Sequence, residues 1–464
     1  MSKATPEPLT VLIVGAGLGG LVLALLLEKI NIPYRIFERA STIKPLGSVL
    51  AFNANILSLV EQLGILDEVM NISKIHEEIK LFDVDKVNLG TIAVKGYKEI
   101  TGYDGIVFSR PDLYTILLSK VPADKILFGK RVLRTETTMD DVVIHCSDSS
   151  AYRGHIVVGA DGAYSSVRQN LYQELEKEHK LPKSDTEKMA IGYLCVVGVT
   201  SPMPTDRYPE LEHNATHFIQ TVDNDSSAWS VTTIPGNRIG WALSLQFTSS
   251  TQAEDQHFRN SKWESESSET ILKRYYDSPS NLGGTMGDIF DATPKEGIST
   301  VYLEEKLFET WCHGRTVLIG DACHKMLPHG GQGAMNAMQD AAVLANCIYD
   351  MGVPTQENIE AAFQSYRGQR YPRAKADVAA SKFMSRLMSG QQWLDRLVRW
   401  LVFQHLPTWV STRSFTKAAS YRPQAVFLPL IENRGTGPVL PQTPSKRAAQ
   451  EQKANVHGQH TEAI

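Results

Sequence analysis

Cysteine is scarce in this chain: Cys146, Cys195, Cys312, Cys323 and Cys347 are the only five in 464 residues, and no two form a CxxC pair. That excludes a disulfide framework and a zinc knuckle, and an odd number of thiols fits a reducing compartment. Cys312-His313 and Cys323-His324 lack the ligand spacing of zinc sites, so no metal centre is expected. Excess charge of one sign is also missing, since 47 basic residues face 51 acidic ones for a net charge of −4. Nothing in that balance marks a nucleic-acid binder. The apolar run Leu21 to Leu27 is too short to cross a bilayer and reads as a buried helix. The few residues before Leu9 leave no room for a signal peptide, so a cytoplasmic location is expected. No internal repeat stands out.

What is present is glycine placed with purpose. Leu9 to Val14 reads as a buried strand and runs into Gly15-Ala-Gly17-Leu-Gly19-Gly20, which opens the helix Leu21 to Leu27. Gly15 suits a tight turn, Gly17 the approach of a pyrophosphate, and Gly20 close packing of helix on strand. A second strand, Tyr34 to Phe37, delivers Glu38, 18 residues after Gly20, where a carboxylate can hold the hydroxyls of an adenosine ribose. This block alone does not separate FAD from NAD. No second strand-linked glycine motif follows; Gly283-Gly284-Thr-Met-Gly287 has the wrong spacing and no preceding strand.

A second glycine-rich block lies at Thr316 to Ala341, TVLIGDACHKMLPHGGQGAMNAMQDA. Thr316 to Ile319 reads as a strand ended by Gly320-Asp321. From Gly333, Ala337, Ala341, Leu344 and Ile348 recur at helical spacing. Gly330, Gly331 and Gly333 therefore fall at a helix N-terminus, where free N–H groups favour an anionic ring. Asp321 suits a polyol better than a phosphate, because a carboxylate accepts hydrogen bonds from hydroxyls. An ordinary strand-loop-helix connection remains the alternative for this segment. Two more blocks are weaker alone: Phe108-Ser-Arg110-Pro-Asp112-Leu113 introduces a helix, and His155 to Val158 runs as a strand into Gly159-Ala-Asp161-Gly162.

In this order and spacing, over about residues 9 to 375, the four blocks resemble the single-component flavoprotein monooxygenases of the aromatic hydroxylase type. His324-Lys-Met326 and Phe427-Leu-Pro429 are most similar to the fungal FAD-dependent monooxygenases that act on aromatic, indole diterpene and meroterpenoid intermediates. The resemblance implies that Gly15, Gly17, Gly20 and Glu38 hold the ADP half of FAD, that Arg39 belongs to the cofactor-binding set and that Arg110 contacts the cofactor. It also implies Asp161 at a turn serving FAD and NAD(P)H, Asp321 on the ribityl chain, Gly331, Gly333 and Ala334 against the flavin, and Gly47 and Ala51 close to the cofactor. His324 and Pro328 are the candidate catalytic positions, with His329 beside them. Two departures are visible: Ala54-Asn55 stands where the family often has Pro-Asn, and Tyr193-Leu194-Cys195 carries Leu194 where relatives often place a polar or basic residue facing substrate.

The expected fold is α/β: a doubly wound FAD-binding domain in two parts, 9–185 and 299–375, with an inserted antiparallel-sheet substrate domain at 186–298. A C-terminal helical segment at 376–432 and a disordered, Gly-, Pro- and Gln-rich tail at 433–464 complete it. Ala190 to Val199, His217 to Val222, Ala228 to Ile234 and Arg238 to Phe247 read as the inserted strands, with Tyr193, Phe218, Trp229 and Trp241 as candidate pocket lining. Residues 251–298 read as a polar surface excursion with one helix. Ile359 to Ala380 reads as a helix broken near Pro372. In Phe383 to Trp409, Phe383, Leu387, Leu394, Leu397 and Leu401 form one stripe, with Trp393 and Trp400 beside it. Such a helix can pack on the body or rest on a membrane surface.

The activity implied by the resemblance is insertion of one oxygen atom from O2 into an aromatic or prenylated small molecule. NAD(P)H would serve as co-substrate and a flavin hydroperoxide as oxidant. The lack of a second dinucleotide fold argues against Baeyer-Villiger type enzymes. A flavin-dependent oxidase or reductase would share every cofactor motif, as would a non-enzymatic flavin-binding regulatory protein.

Overall fold

The computed structural model describes residues 8–43, 46–94, 96–223, 227–247, 266–390, 392–405 and 408–450. The strand Val11–Val14 is buried at all four positions and lies between Ile156–Gly159 and Tyr34–Phe37, parallel to both. Burial on both faces explains why it is a continuous apolar run rather than an alternating one. The whole sheet has six strands, in the order 312–313, 316–318, 156–159, 11–14, 34–37, 126–127. Only its 312–313 edge runs antiparallel to its neighbour. The helix Leu18–Lys29 is buried from Leu18 to Leu27, covered on one side by the sheet and on another by the helix Gln332–Met351.

A second sheet of eight strands stands beside the first. Its centre is the expected antiparallel set, with Ala190–Val199 paired to Arg238–Gln246 and the strands Ser227–Ile234 and Phe218–Val222 following. The sheet also draws in strands from outside 186–298. Ser299–Leu307 joins one side, and Glu78–Asp83 pairs in parallel with Phe218–Val222 on the other. Residues 251–265 of the expected polar excursion lie outside the described residues; from 266 onward it forms the helices Glu266–Arg274 and Met286–Asp291. The second is closed by a capping box between Thr285 and Asp288.

Two expectations about the C-terminal part need correction. The helix Gln356–Ser389 runs unbroken through Pro372. Ile359, Phe363 and Tyr366 before the proline and Ala374 after it are all buried, so tertiary packing on Gln332–Met351 outweighs one missing N–H. The tail is also ordered as far as residue 450. Ser420 O accepts from Leu440 N, Gln442 Oε1 accepts from Gln424 N at 2.9 Å, and Ser445 Oγ donates to Asp350 at 2.5 Å. A few of its polar groups bond to the rest of the chain while most of its residues stay exposed to water; residues 451–464 lie outside the described residues.

Candidate active site

The first glycine block is built as its sequence predicts. Gly15 has φ +105°, and its N–H donates to Phe37 O. A Cβ at Gly15 would stand 2.4 Å from Ala160 O, and one at Gly20 2.2 Å from Gly15 O. Only glycine lets the turn, its helix and the Ala160-Asp161 corner approach so closely. At Gly17 the nearest atom to such a Cβ is 4.0 Å away, and the helix it opens has no side-chain cap. Those N–H groups are free to receive a phosphate. The Glu38 carboxylate is held at the strand end by Ala16 N at 3.0 Å and Ala40 N at 2.9 Å, while Arg39 is exposed beside it.

The other sequence blocks bring further residues to strand and helix ends. Asp161 Oδ2 caps the helix Ser166–Lys177 by accepting from Ser166 N at 2.7 Å, and its buried Oδ1 has no partner. Arg110 donates through Nη1 to Leu46 O at 2.9 Å. Burial lowers the pKa of that guanidinium, against the pull of Asp321. Gly47, at φ +118°, lets the preceding loop lie against it, since a Cβ there would be 3.0 Å from Arg110 Cδ. Ala51 sits opposite Val107 in the strand pair beside that loop. Asp321 is half-buried and accepts from Lys325 Nζ at 2.6 Å. Gly331, at φ +62°, and Gly333 have open space where a side chain would stand, and the helix Gln332–Met351 begins there without a side-chain cap. Ala334 is half-buried in its first turn.

One arrangement escaped the sequence. Asp340, fully buried in that helix, accepts from Gly320 N at 2.8 Å, His324 Nε2 at 2.5 Å and Arg370 Nε at 2.7 Å. Burial alone would raise its carboxyl pKa, but His324 and Arg370 hold it below the ordinary value. Arg370 also donates to Asn336 Oδ1 at 2.6 Å. The cluster clamps the Gly320-Asp321 turn to the helix whose N-terminus begins at Gly331. This corrects the placing of His324 among catalytic candidates: it is fully buried beneath the turn, and its Nε2 is committed to Asp340. Cys323, His324 and Asp340 carry possible metal ligands within 4.8 Å of one another, yet Asp340 is already bound on both oxygens and Arg370 adds a fixed positive charge there.

Pro328 is exposed at the start of the turn into the helix, and His329 follows it. The His329 ring lies 5.6 Å from that of Tyr193, which brings the second sheet against this turn. His329 Nε2 is 3.0 Å from Ser389 Oγ, its Nδ1 is buried without a partner, and burial pushes its pKa down to about 4. Tyr193 packs with Cys195, Leu303 and Leu327. Phe218 stacks on His76 at 5.9 Å.

Trp229 and Trp241 do not line this side. They belong to a separate core with Met286, Ile289 and Phe290 on the far face of the sheet. There Trp229 Nε1 donates to Pro279 O at 3.2 Å and Trp241 Nε1 to Thr293 Oγ1 at 2.9 Å. Strand alternation also turns Leu194 away from the face of Tyr193 and Cys195, so its apolar character says nothing about the pocket wall.

The family model described as an FAD binding domain matches residues 8–381. The chain is 30% identical over 389 residues to the FAD-dependent monooxygenase paxM of Penicillium paxilli, covering 81% of this chain and 78% of that one. It is 29% identical over 451 residues to the FAD-dependent monooxygenase olcE of Penicillium canescens, covering 93% and 92%. Its fold is similar to that of Klebsiella pneumoniae HpxO complexed with FAD and uric acid, with TM-score 0.70, 20% identity and coverage of 93% and 100%.

Proposed function

Because the chain belongs to the FAD binding domain family and is an FAD-dependent monooxygenase, we propose that it consumes NAD(P)H and O2 to insert one oxygen atom into an aromatic or prenylated small molecule. The balance is substrate–H, O2, NAD(P)H and a proton giving substrate–OH, water and NAD(P)+. Bound FAD supplies the redox chemistry.

The chain's own residues bind and orient. Gly17 and the N-terminus of Leu18–Lys29 receive the pyrophosphate, Glu38 the adenosine ribose, and Asp321 the ribityl hydroxyls. Gly331 and Gly333 leave room for the ring at a helix N-terminus, which favours negative charge on it. Asp340 holds Gly320 and thereby fixes Asp321 relative to that helix. The observation that carries the reading is the contact of Tyr193 with His329, which sets the face of the second sheet against the turn leading into this helix. Tyr193, Cys195, Leu303 and Leu327 supply an apolar wall that excludes water, while Phe218, stacked on His76 three strands away, stands apart from it. His329, neutral near pH 7, offers a proton acceptor in that wall. A lipophilic substrate accords with peripheral membrane contact through 383–409, and no helix among the described residues is long and apolar enough to cross a membrane.

The test is a screen of phenols, aromatic acids and prenylated compounds for accelerated NAD(P)H oxidation by the purified yellow protein. A match raises the rate and yields a product heavier by one oxygen atom. NAD(P)H oxidation that returns only hydrogen peroxide with every compound would point instead to an oxidase.

A further inference from the structure

The helix Trp393–His405 is inverted relative to an ordinary surface helix. Its inward side carries Asp395 and Arg399, while Arg396 is exposed: Asp395 accepts from Arg386 Nε at 2.8 Å, and Arg399 donates to Leu387 O at 2.8 Å and to Gly390 O. Its outward side is apolar, with Trp393 71% exposed, Trp400 53%, and Leu394, Leu397 and Leu401 each above 40%. At helical spacing these five cover an arc of about 120°. Trp409 in the next helix, Thr408–Ala419, adds a ring 64% exposed. A soluble helix normally buries such a stripe and exposes its charges.

Charge indicates what covers the face. Residues 381–420 contain six basic residues against Asp395 alone; of these Lys382 pairs with Glu305, Arg386 pairs with Asp395 and Arg399 is buried, whereas Arg396, Arg413 and Lys417 are exposed. Trp409, Arg413 and Lys417 are all exposed and follow one another four residues apart along one side of their helix. Tryptophan beside basic residues suits the boundary between acyl chains and anionic headgroups. The helix is too short and too polar on its inner side to cross a bilayer. Beneath it, Phe403, Met384 and Met388 pack on Leu81 and Val222 of the second sheet, and the Phe403 ring lies directly over Gly90.

We propose that Trp393–His405 and the exposed side of Thr408–Ala419 form a surface that seats the enzyme on anionic phospholipid. The same surface passes a lipophilic substrate from the lipid to the sheet beneath; this second part rests on the function proposed above.

Flotation of the full-length, FAD-loaded protein with vesicles tests the seat without turnover, so its result stands whether or not a substrate is found. Vesicles of phosphatidylcholine with phosphatidylserine should carry the protein, shift its tryptophan emission to the blue, and release it at high salt. Trp393→Ser with Trp400→Ser should lower the bound fraction about tenfold. Arg413→Glu with Lys417→Glu, on an exposed helix, should lower binding by a similar factor. Both variants should keep the flavin absorbance and melting temperature of the parent. Equal binding with and without phosphatidylserine, or none to either, would overturn the proposal. So would a dimer in light scattering that the tryptophan variant dissociates, because the face would then be covered by a second copy. Delivery is read separately, as faster NAD(P)H oxidation when a prenylated phenol is presented in phosphatidylserine vesicles rather than in detergent.

Discussion

Arg370 Nε stands 2.7 Å from Asp340 Oδ1, with both side chains fully buried, so one ion pair links two long helices beneath the candidate flavin site. Removing only the acid leaves Arg370 charged in the core. Asp340→Ala should cost about 3–5 kcal/mol of stability. Because Gly320 N loses its acceptor, FAD should also be lost at temperatures where the fold persists. Thermal unfolding followed at once by protein fluorescence and by release of flavin fluorescence checks this; a variant with unchanged FAD content would contradict the clamp.

Glycine substitutions should separate close packing from cofactor space. Gly15→Ala brings Cβ to 2.4 Å from Ala160 O in a backbone of φ +105°, so the protein should be destabilised and purify without yellow colour. Gly333→Ala meets no atom within 4 Å. It should fold with a melting temperature near that of the parent and bind FAD more weakly, as flavin titration would report.

The two faces of the second sheet predict opposite phenotypes. Trp241→Ala empties a site in the far core and should cost about 3–5 kcal/mol, with KM little changed in the protein that remains folded. Tyr193→Ala should alter KM or the coupling of NAD(P)H oxidation to product. Comparison of denaturant midpoints with steady-state kinetics for the two variants decides the assignment.

Burial lowers the pKa of His76 from 6.5 to about 4, so the folded state resists a proton that the unfolded state accepts. Stability should therefore be full above pH 6.5 and fall as the pH drops toward 4, by up to about 1.4 kcal/mol per pH unit from this residue. His329 is shifted the same way and adds to the slope. Denaturation at a series of pH values should show the loss, and His76→Gln should make the profile shallower.

Much of the candidate cofactor site is legible in the sequence because its signals are local. A strand, a glycine turn, a helix and an acid lie within Leu9 to Glu38, and each position follows from backbone geometry or charge. Asp340 was not legible, because its partners His324 and Arg370 stand 16 and 30 residues away and an acid inside a helix reads equally as a solvated face. Which aromatic residues share the face of Tyr193 depends on register. Trp229 and Trp241 alternate onto the far face, a fact that requires the pairings Trp229 with Leu243 and Trp241 with Val231. Glu78–Asp83 was missed as a sheet member because its partner Phe218–Val222 is far along the chain. The ordered tail was missed because composition cannot show that Gln442 and Ser445 find partners on the body.

Isotope labelling gives the most direct test of monooxygenation. The FAD-loaded protein, NAD(P)H and a substrate found by the screen are held under heavy-oxygen O2, and the product is weighed by mass spectrometry. One heavy oxygen atom in the product, with NAD(P)H consumed in proportion, is the predicted result. A product that takes its oxygen from water, or no oxygenated product while all the NAD(P)H consumed is recovered as hydrogen peroxide, would contradict the account.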